Sequence, residues 1–251
     1  MTPASILAAA ALFSALFAAT PDERFREASE SYRAREFAAS AEGFRSLAEE
    51  GFESAAVFYN LGNAEYRRGN LGRAIAAYLR ALDFAPREED LDFNLRIVRQ
   101  RRADRIEPAS GPTFLRSLFF PHTRLTIGEE TGLAAVLWLS GIFLLHAALF
   151  VRRAAVKNLG LVLAGLGVAT AVSVAWRVRE RDETPPAVVV AESTDVRTGP
   201  GEDFPVYFTL HDGTECRVLE RGDGWTKVEI EGEKRGWLKD AEIERLPSLS
   251  G

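Results

Sequence analysis

The sequence predicts a multidomain protein: an α-helical repeat domain, a two-helix transmembrane hairpin and a small all-β barrel. Three observations carry this. Between residues 21 and 107 the chain matches itself at a shift of 34 residues. The stretches 131–151 and 158–176 hold no Asp, Glu, Lys or Arg. After residue 185 the texture turns to short β-branched and aromatic runs, cut by Gly199-Pro200-Gly201, Asp212-Gly213, Gly222-Asp223-Gly224 and Glu231-Gly232.

Composition narrows the function classes before any motif is read. The 251 residues suffice for two small domains and additional segments. A net charge of −5 gives a nucleic-acid partner no electrostatic support. The single cysteine, Cys216, excludes an internal disulfide and a cysteine-rich zinc site. His122, His146 and His211 are far apart in sequence. No phosphate-binding glycine loop, nucleophile elbow or HExxH motif occurs. The acidic pairs Glu49-Glu50 and Glu88-Glu89 fall at helix ends and turns, where solvation and capping account for them. Cys216 and His211 are five apart across a turn, but a cysteine nucleophile also needs a stabilised thiolate and an orienting group. The expectation is a non-enzymatic protein with no catalytic residue, no cofactor and no metal.

The chain opens on MTPASILAAAALFSALFAAT, an apolar run from Ile6 to Phe17 followed by small residues. It reads as a secretory signal or an uncleaved anchor, with no Lys or Arg ahead of the run.

The repeat governs residues 21–107. Phe25, Tyr59 and Phe93 align, as do Tyr32 and Tyr66, Phe37 and Leu71, and Phe44 and Tyr78. Gly62 and Ala74 are small where two helices of a hairpin would cross, and Tyr78 and Ala81 share a face. Gly69-Asn70 ends one helix, Asn70 is placed to cap the next, and Pro86 ends that one. The stretch FYNLGNAEYRRGNLGRAIAAYLRALDFAP closely resembles a tetratricopeptide repeat (TPR). Leu61-Gly62, Tyr66, Gly69, Ala74, Tyr78, Ala81 and Pro86 fall at its signature positions, and Glu65 departs from it, where an aromatic is usual. The first repeat, 21–54, is weaker: Ser40 replaces an alanine and Ala28 a glycine. The third is a capping helix near 89–106.

That resemblance implies a groove for protein segments. Tyr59, Asn63 and Arg67 form an i, i+4, i+8 stripe that by resemblance faces the groove. An asparagine amide can bond a peptide backbone and an arginine a carboxylate. Arg33 and Arg101, one repeat away on either side, add positive charge. The same residues also read as a solvated helix face. The basic run Arg96, Arg99, Arg101, Arg102, Arg105 reads as a solvated face or as a contact for lipid headgroups.

Residues 108–130 hold Phe114, Leu115, Leu118, Phe119 and Phe120 with interspersed arginines, either an interfacial amphipathic helix or a linker packing on the first domain. The two apolar stretches would extend roughly 31 Å and 28 Å at 1.5 Å per residue, the span of a bilayer core. Their connector, 152–157, carries Arg152, Arg153 and Lys157 and no acid, which places it in the cytoplasm and both flanking domains outside. Gly165, Ala169 and Ser173 recur every four residues as a stripe for close helix approach, or as ordinary alanine-glycine richness. His146 is the one titratable side chain in a span, and a lone one, read as packed or interfacial.

Residues 177–186 read as a charged, proline-bearing linker and 187–247 as a barrel of five or six strands. VRTGPGEDFPVYFTL, GTECRVLE, GDGWTKVEIEG and RGWLKDAEIERL resemble, in order, a bacterial SH3 (SH3b) domain, hence an all-β SH3-like barrel. The resemblance implies binding of peptides or cell-wall glycopeptide. Tyr207, Trp225 and Trp237 are candidates for an aromatic platform, and each tryptophan equally for the barrel core. Tyr207 and Phe208 are neighbours on a strand, so one faces in and one out. With 14 acidic against 8 basic residues between 185 and 246, the domain favours a basic partner patch.

The whole order (export signal, TPR pair, interfacial segment, two spans, SH3b) resembles the BatE-like proteins of the Bacteroides aerotolerance operons. That resemblance implies a periplasmic scaffold in the bacterial inner membrane, with von Willebrand A domain membrane proteins and a MoxR-type ATPase as partners. The competing expectation is a peptidoglycan-binding or sensing module.

Overall fold

The computed structural model describes residues 19–104, 125–230 and 234–247. The apolar run from Ile6 to Phe17, expected to be an export signal or anchor, the aromatic cluster at 114–120 and the Glu231-Gly232 turn lie outside the described residues.

Among the described residues, five helices form the N-terminal part: α1 (Pro21–Arg33), α2 (Phe37–Glu49), α3 (Ala55–Arg68), α4 (Leu71–Phe84) and α5 (Glu89–Arg101). Local chemistry sets their ends. Thr20 and Glu23 make a reciprocal capping box on α1, and Ser54 caps α3. Gly69 ends α3 at φ 90°, a left-handed conformation that glycine adopts without steric cost. Consecutive helices pack as antiparallel pairs around Phe44, Leu47, Leu61, Ala74, Ile75, Tyr78, Ala81 and Leu95, all buried. Gly62 lets the Tyr78 ring lie against α3, since a Cβ there would stand 2.6 Å from the ring. Burial pushes the Tyr78 hydroxyl well above its ordinary pKa, and the group donates to Asn63 Oδ1 at 2.7 Å.

Glu65, the departure from the repeat pattern, is completely buried. Arg45 of α2 pairs with it, Arg68 at 3.0 Å, and the Asn70 amide at 2.7 Å. The three donors satisfy a carboxylate that alone would be costly to bury. This also corrects the role of Asn70. It stands at the N-cap of α4, but its side chain makes no cap there because Glu65 holds it.

Among the described residues, two helices are long and apolar enough to cross a membrane: α6 (Ile127–Val151) and α7 (Ala154–Glu183). They form an antiparallel hairpin joined at Arg152 and Arg153, so the connector is shorter than the expected 152–157. The expected linker at 177–186 is corrected too. Residues through Glu183 continue α7, and the prolines only mark the start of the next strand. The helices touch along Ala134, Gly141, Gly160, Ala164 and Gly167 rather than along the Gly165 stripe. A Cβ on Gly167 would meet the Trp138 backbone, whereas Gly165 faces open space. The alternative four-residue stripe is one helical face further round, and only packing distinguishes the two. The remaining surface, including Leu139, Phe143, Phe150, Val172 and Trp176, is apolar and exposed.

The C-terminal part is an antiparallel sheet of seven strands: β1 (Pro186–Val189), β2 (Ser193–Arg197), β3 (Val206–His211), β4 (Glu215–Gly222), β5 (Trp225–Ile230), β6 (Lys234–Lys239) and β7 (Ile243–Arg245). Their order is β3-β2-β6-β5-β4-β1-β7. Val189, Val196, Leu210, Cys216, Val218, Val228, Ile230, Leu238 and Ile243 fill its core. Cys216 points inward, its thiol pushed by burial up to about 12. Arg197 pairs with Val206 and Val196 with Phe208, so Tyr207 is the extra residue of a β-bulge.

The helical and β parts interlock. Val188 and Leu246 of the β part are buried in the helical core. Asp212, at the β3–β4 turn, accepts from the Leu71 and Gly72 amides at 2.8 and 2.9 Å, giving α4 the cap that Asn70 does not. Gly72 is required there, since a Cβ would overlap the Val189 carbonyl. Asp104 reciprocates, accepting from the His211 amide at 2.8 Å and the Thr214 hydroxyl at 2.6 Å. Glu215 takes Arg99 and Arg102 at 2.6 and 3.0 Å. The hairpin joins both parts through Arg181–Asp83 at 2.8 Å, Arg217–Glu180 at 2.7 Å and Arg87–Glu129 at 2.5 Å. Both parts therefore stand at one end of the hairpin.

Candidate partner-binding surfaces

The odd-numbered helices α1, α3 and α5 present one face and the docked β part covers another. Tyr59 and Asn63 are half-buried on the open face, and Arg67, Arg33 and Arg101 are exposed. Asn63 Oδ1 accepts from Tyr78 at 2.7 Å and from Asn94 at 3.3 Å, and Asn94 also donates to the Tyr59 hydroxyl at 3.3 Å. The carbonyl side of Asn63 is thus occupied, and its amide side is the part with hydrogen-bonding capacity left. Asn94 was not singled out in the sequence. Its alignment with Asn60 was visible, but its hydrogen bonds depend on how α3 and α5 pack. The Arg67 guanidinium lies 4.5 Å from the Phe37 ring centre and that of Arg101 5.0 Å from Tyr66. Arg33 donates to the Ser29 carbonyl at 3.3 Å.

The basic run on α5 divides. Arg99 and Arg102 are taken up by Glu215 in the junction, and Arg101 turns to the open face.

On the β part the three aromatic candidates have different surroundings. Tyr207, in its bulge, is 61% exposed and edge-on to Phe208, with ring centres 5.1 Å apart. Trp237 is half-buried, with Lys227 Nζ 5.7 Å from its ring. Trp225 is buried, yet it is not among the residues of the barrel core. It lines a small polar recess of about 260 Å³ with Arg197, Glu202 and Lys239, and Lys239 pairs with Glu202 at 2.5 Å. Trp225 pairs across the sheet with Lys239 and Trp237 with Lys227, so both rings are on the outer face of the sheet. A larger cleft of about 580 Å³ opens at the junction, between Arg45, Arg73 and Arg80 on the helices and the edge strand β7.

Cys216 donates to the Ala187 carbonyl at 3.5 Å, whereas the His211 ring contacts Asp104 at 2.9 Å; the two are engaged separately.

Residues 192–244 match the bacterial SH3 domain family. The C-terminal part is therefore a bacterial SH3 domain, with β1 and the residues after 244 as flanks that carry it onto the helices. No curated protein matches the chain.

Proposed function

We propose that this protein is a non-enzymatic, membrane-anchored scaffold that holds protein segments in a TPR-type groove beside its bacterial SH3 domain. The observation that carries the reading is the division of labour among helix faces. The SH3 domain docks on α4, and the Tyr59–Asn63–Arg67 stripe of α3 is left accessible. The 34-residue self-match and the antiparallel helix pairs support TPR repeats. The apolar exterior of the hairpin supports a membrane location, and Arg152, Arg153 and Lys157 at its tip support a cytoplasmic tip with both domains in the periplasm. The order of segments resembles BatE-like proteins, which supports von Willebrand A domain proteins and a MoxR-type ATPase system as partners in the inner membrane.

Photo-crosslinking in cells tests the groove. A benzoylphenylalanine at position 63 is expected to give a discrete protein adduct, and one at the exposed Ala39 of α2 to give none. Equal labelling from both positions, or none from 63, sinks the groove. For topology, Cys216→Ser with one cysteine added after Gly251 is expected to react with an impermeant maleimide in intact cells. A cysteine at Ala155 is expected to stay unlabelled, and the reverse pattern refutes the periplasmic placement.

A second reading has one observation in its favour. Tyr207 is projected by its bulge and Trp237 is on the outer face, as a peptidoglycan-binding SH3 domain would require. Sedimentation with purified peptidoglycan that is lost in Tyr207→Ala would support that reading.

A further inference from the structure

The outer side of the hairpin carries a heptad stripe. On α6, Gly132, Val136, Leu139, Phe143, His146 and Phe150 follow one another at steps of four and three residues. At about 100° per residue they lie within about 40° of one line along the helix. Packing against α7 uses the opposite side, where Ala134 and Trp138 meet Gly167, Gly141 meets Ala164 and Leu145 meets Gly160. At 78% and 72%, Phe150 and Phe143 are the most exposed large apolar side chains among the described residues. A Cβ on Gly128 or Gly132 would meet nothing, so the outer end of the stripe is open to close approach by another helix.

His146 interrupts the apolar character of that stripe. It is exposed on the outside of the hairpin, and its ring lies beside that of Phe150 in the next turn, with centres 5.7 Å apart. Among the described residues it makes no hydrogen bond. It stands six residues, about 9 Å, short of Arg152 at the tip, within the apolar run. An imidazole in hydrocarbon needs partners for its N–H and for its second nitrogen. Ionisable side chains in spans accordingly turn to protein or to a wet cavity rather than to lipid. The stretches 131–151 and 158–176 hold no carboxylate that could serve it.

We propose that this stripe is a seam between two copies of the chain, packed α6 against α6 in parallel, with His146 hydrogen-bonded to the partner subunit's His146. The proposal rests on the membrane reading above and adds an oligomeric contact to it. Orientation selects a second copy as the occupant. Every copy inserts with its basic tip on the same side, so two hairpins in one membrane stand parallel. About a two-fold axis along the membrane normal, each seam residue meets its own counterpart at the same depth. An imidazole is both donor and acceptor, so in such a pair it is its own complement. None of the six seam positions holds a charged Asp, Glu, Lys or Arg that would repel an identical copy. A single polar residue in an apolar heptad seam fixes register and copy number, and heptad spacing suits the shallow left-handed crossing common in membrane bundles.

Disulfide scanning of the purified full chain in liposomes tests this. On a Cys216→Ser background, single cysteines replace Leu139, Phe143 and Phe150 on the seam and Leu137 and Leu144 off it. Oxidation is expected to give crosslinked dimer from the three seam positions and little from the two others. Energy transfer between donor- and acceptor-labelled copies, followed as lipid is added, reads the affinity. His146→Leu is expected to weaken dimerisation about fivefold, as for one lost interhelical hydrogen bond, and His146→Gln, which keeps a donor and an acceptor, to retain it. Even yields across all five positions, or parent-like dimerisation in His146→Leu, overturn the proposal. Seam crosslinks that form in cells to a protein of different mass, and never between copies, overturn it in favour of another membrane protein's helix. If alkaline carbonate strips the chain from cell membranes, the membrane reading falls and the seam with it. If the chain resists carbonate and the seam cysteines do not crosslink, the seam alone falls.

Discussion

Arg101 and Arg102 are neighbours at the end of α5, and they have opposite fates. Arg102, with Arg99, closes on Glu215 of the SH3 domain, half-buried among Leu71, Ile75 and the Gly213 turn. Arg101 lies over Tyr66 on the open face and, among the described residues, pairs with no carboxylate. Arg102 is a structural element of the junction, and Arg101 stays exposed at the open face. The difference comes from the helical period, which points consecutive side chains about 100° apart, and from which face the SH3 domain covers. The same contrast holds for the two surfaces as wholes. The junction satisfies its charges internally with Asp104, Asp212 and Glu215, and the open face leaves its arginines unspent.

That contrast is broken most severely at Gly72. Gly72→Val would force side-chain atoms into the Val189 carbonyl, and overpacking of this kind costs about 3 kcal/mol. Thermal unfolding of the full chain in detergent should show the loss, together with faster proteolysis between the two parts. Next comes Asp212→Ala, which strips α4 of its cap and is expected to cost about 1–2 kcal/mol by the same melt. Asn70→Ala should perturb the Glu65 cluster instead and leave the cap intact.

Acid titration sharpens the comparison within the junction. Burial raises the Asp104 carboxyl, but the Thr214 hydroxyl and the His211 side chain and amide outweigh it and hold Asp104 below its ordinary value. A carboxyl depressed on folding contributes stability above its unfolded pKa, near 3.8, and that stability is lost as pH falls through the folded value. Asp212 is the reverse. Burial raises it, against the Gly72 and Leu71 amides that lower it, so the folded state takes up its proton first and gains stability as pH falls toward the unfolded value. Asp104→Asn should therefore flatten the acid limb of the stability curve, and Asp212→Asn should steepen it. Melting curves between neutral and strongly acidic pH read both, and a shift in the same direction for the two variants would refute the assignment.

The smallest effects separate the neighbouring arginines. Arg102→Ala is expected to lose about 1 kcal/mol of stability, as a partly exposed charge pair does. Arg101→Ala should stay within about 0.5 kcal/mol of the parent, a value typical of surface changes. If Arg101→Ala destabilises as much as Arg102→Ala, the open face is part of the structure's own support.

Much of this was legible in the chain. A period of 34 residues, two charge-free stretches and a turn-punctuated β segment are local or periodic patterns, and each survives in the structure as helix pairs, a long apolar hairpin and an SH3 sheet. The exposed arginine column at 33, 67 and 101 could be read as well, because it repeats with the period. Other features could not be read. Sequence alone gave no way to choose between Gly165–Ala169–Ser173 and Gly160–Ala164–Gly167 as the crossing face, since both are small-residue rows on one helix. Trp225 and Trp237 are alike in their sequence surroundings, and the structure buries the first in a recess with Arg197, Glu202 and Lys239 and leaves the second half-buried.

The sequence by itself determined the elements, because capping residues, apolar periodicity and turn glycines act over a few residues. Only the tertiary structure decided the partners of the charges. Asp212 caps a helix 140 positions earlier, and Asn70, which has the right chemistry at the right place, is held by Glu65 instead. A carboxylate goes where burial would otherwise leave it unpaired, and burial is a property of the assembled domains.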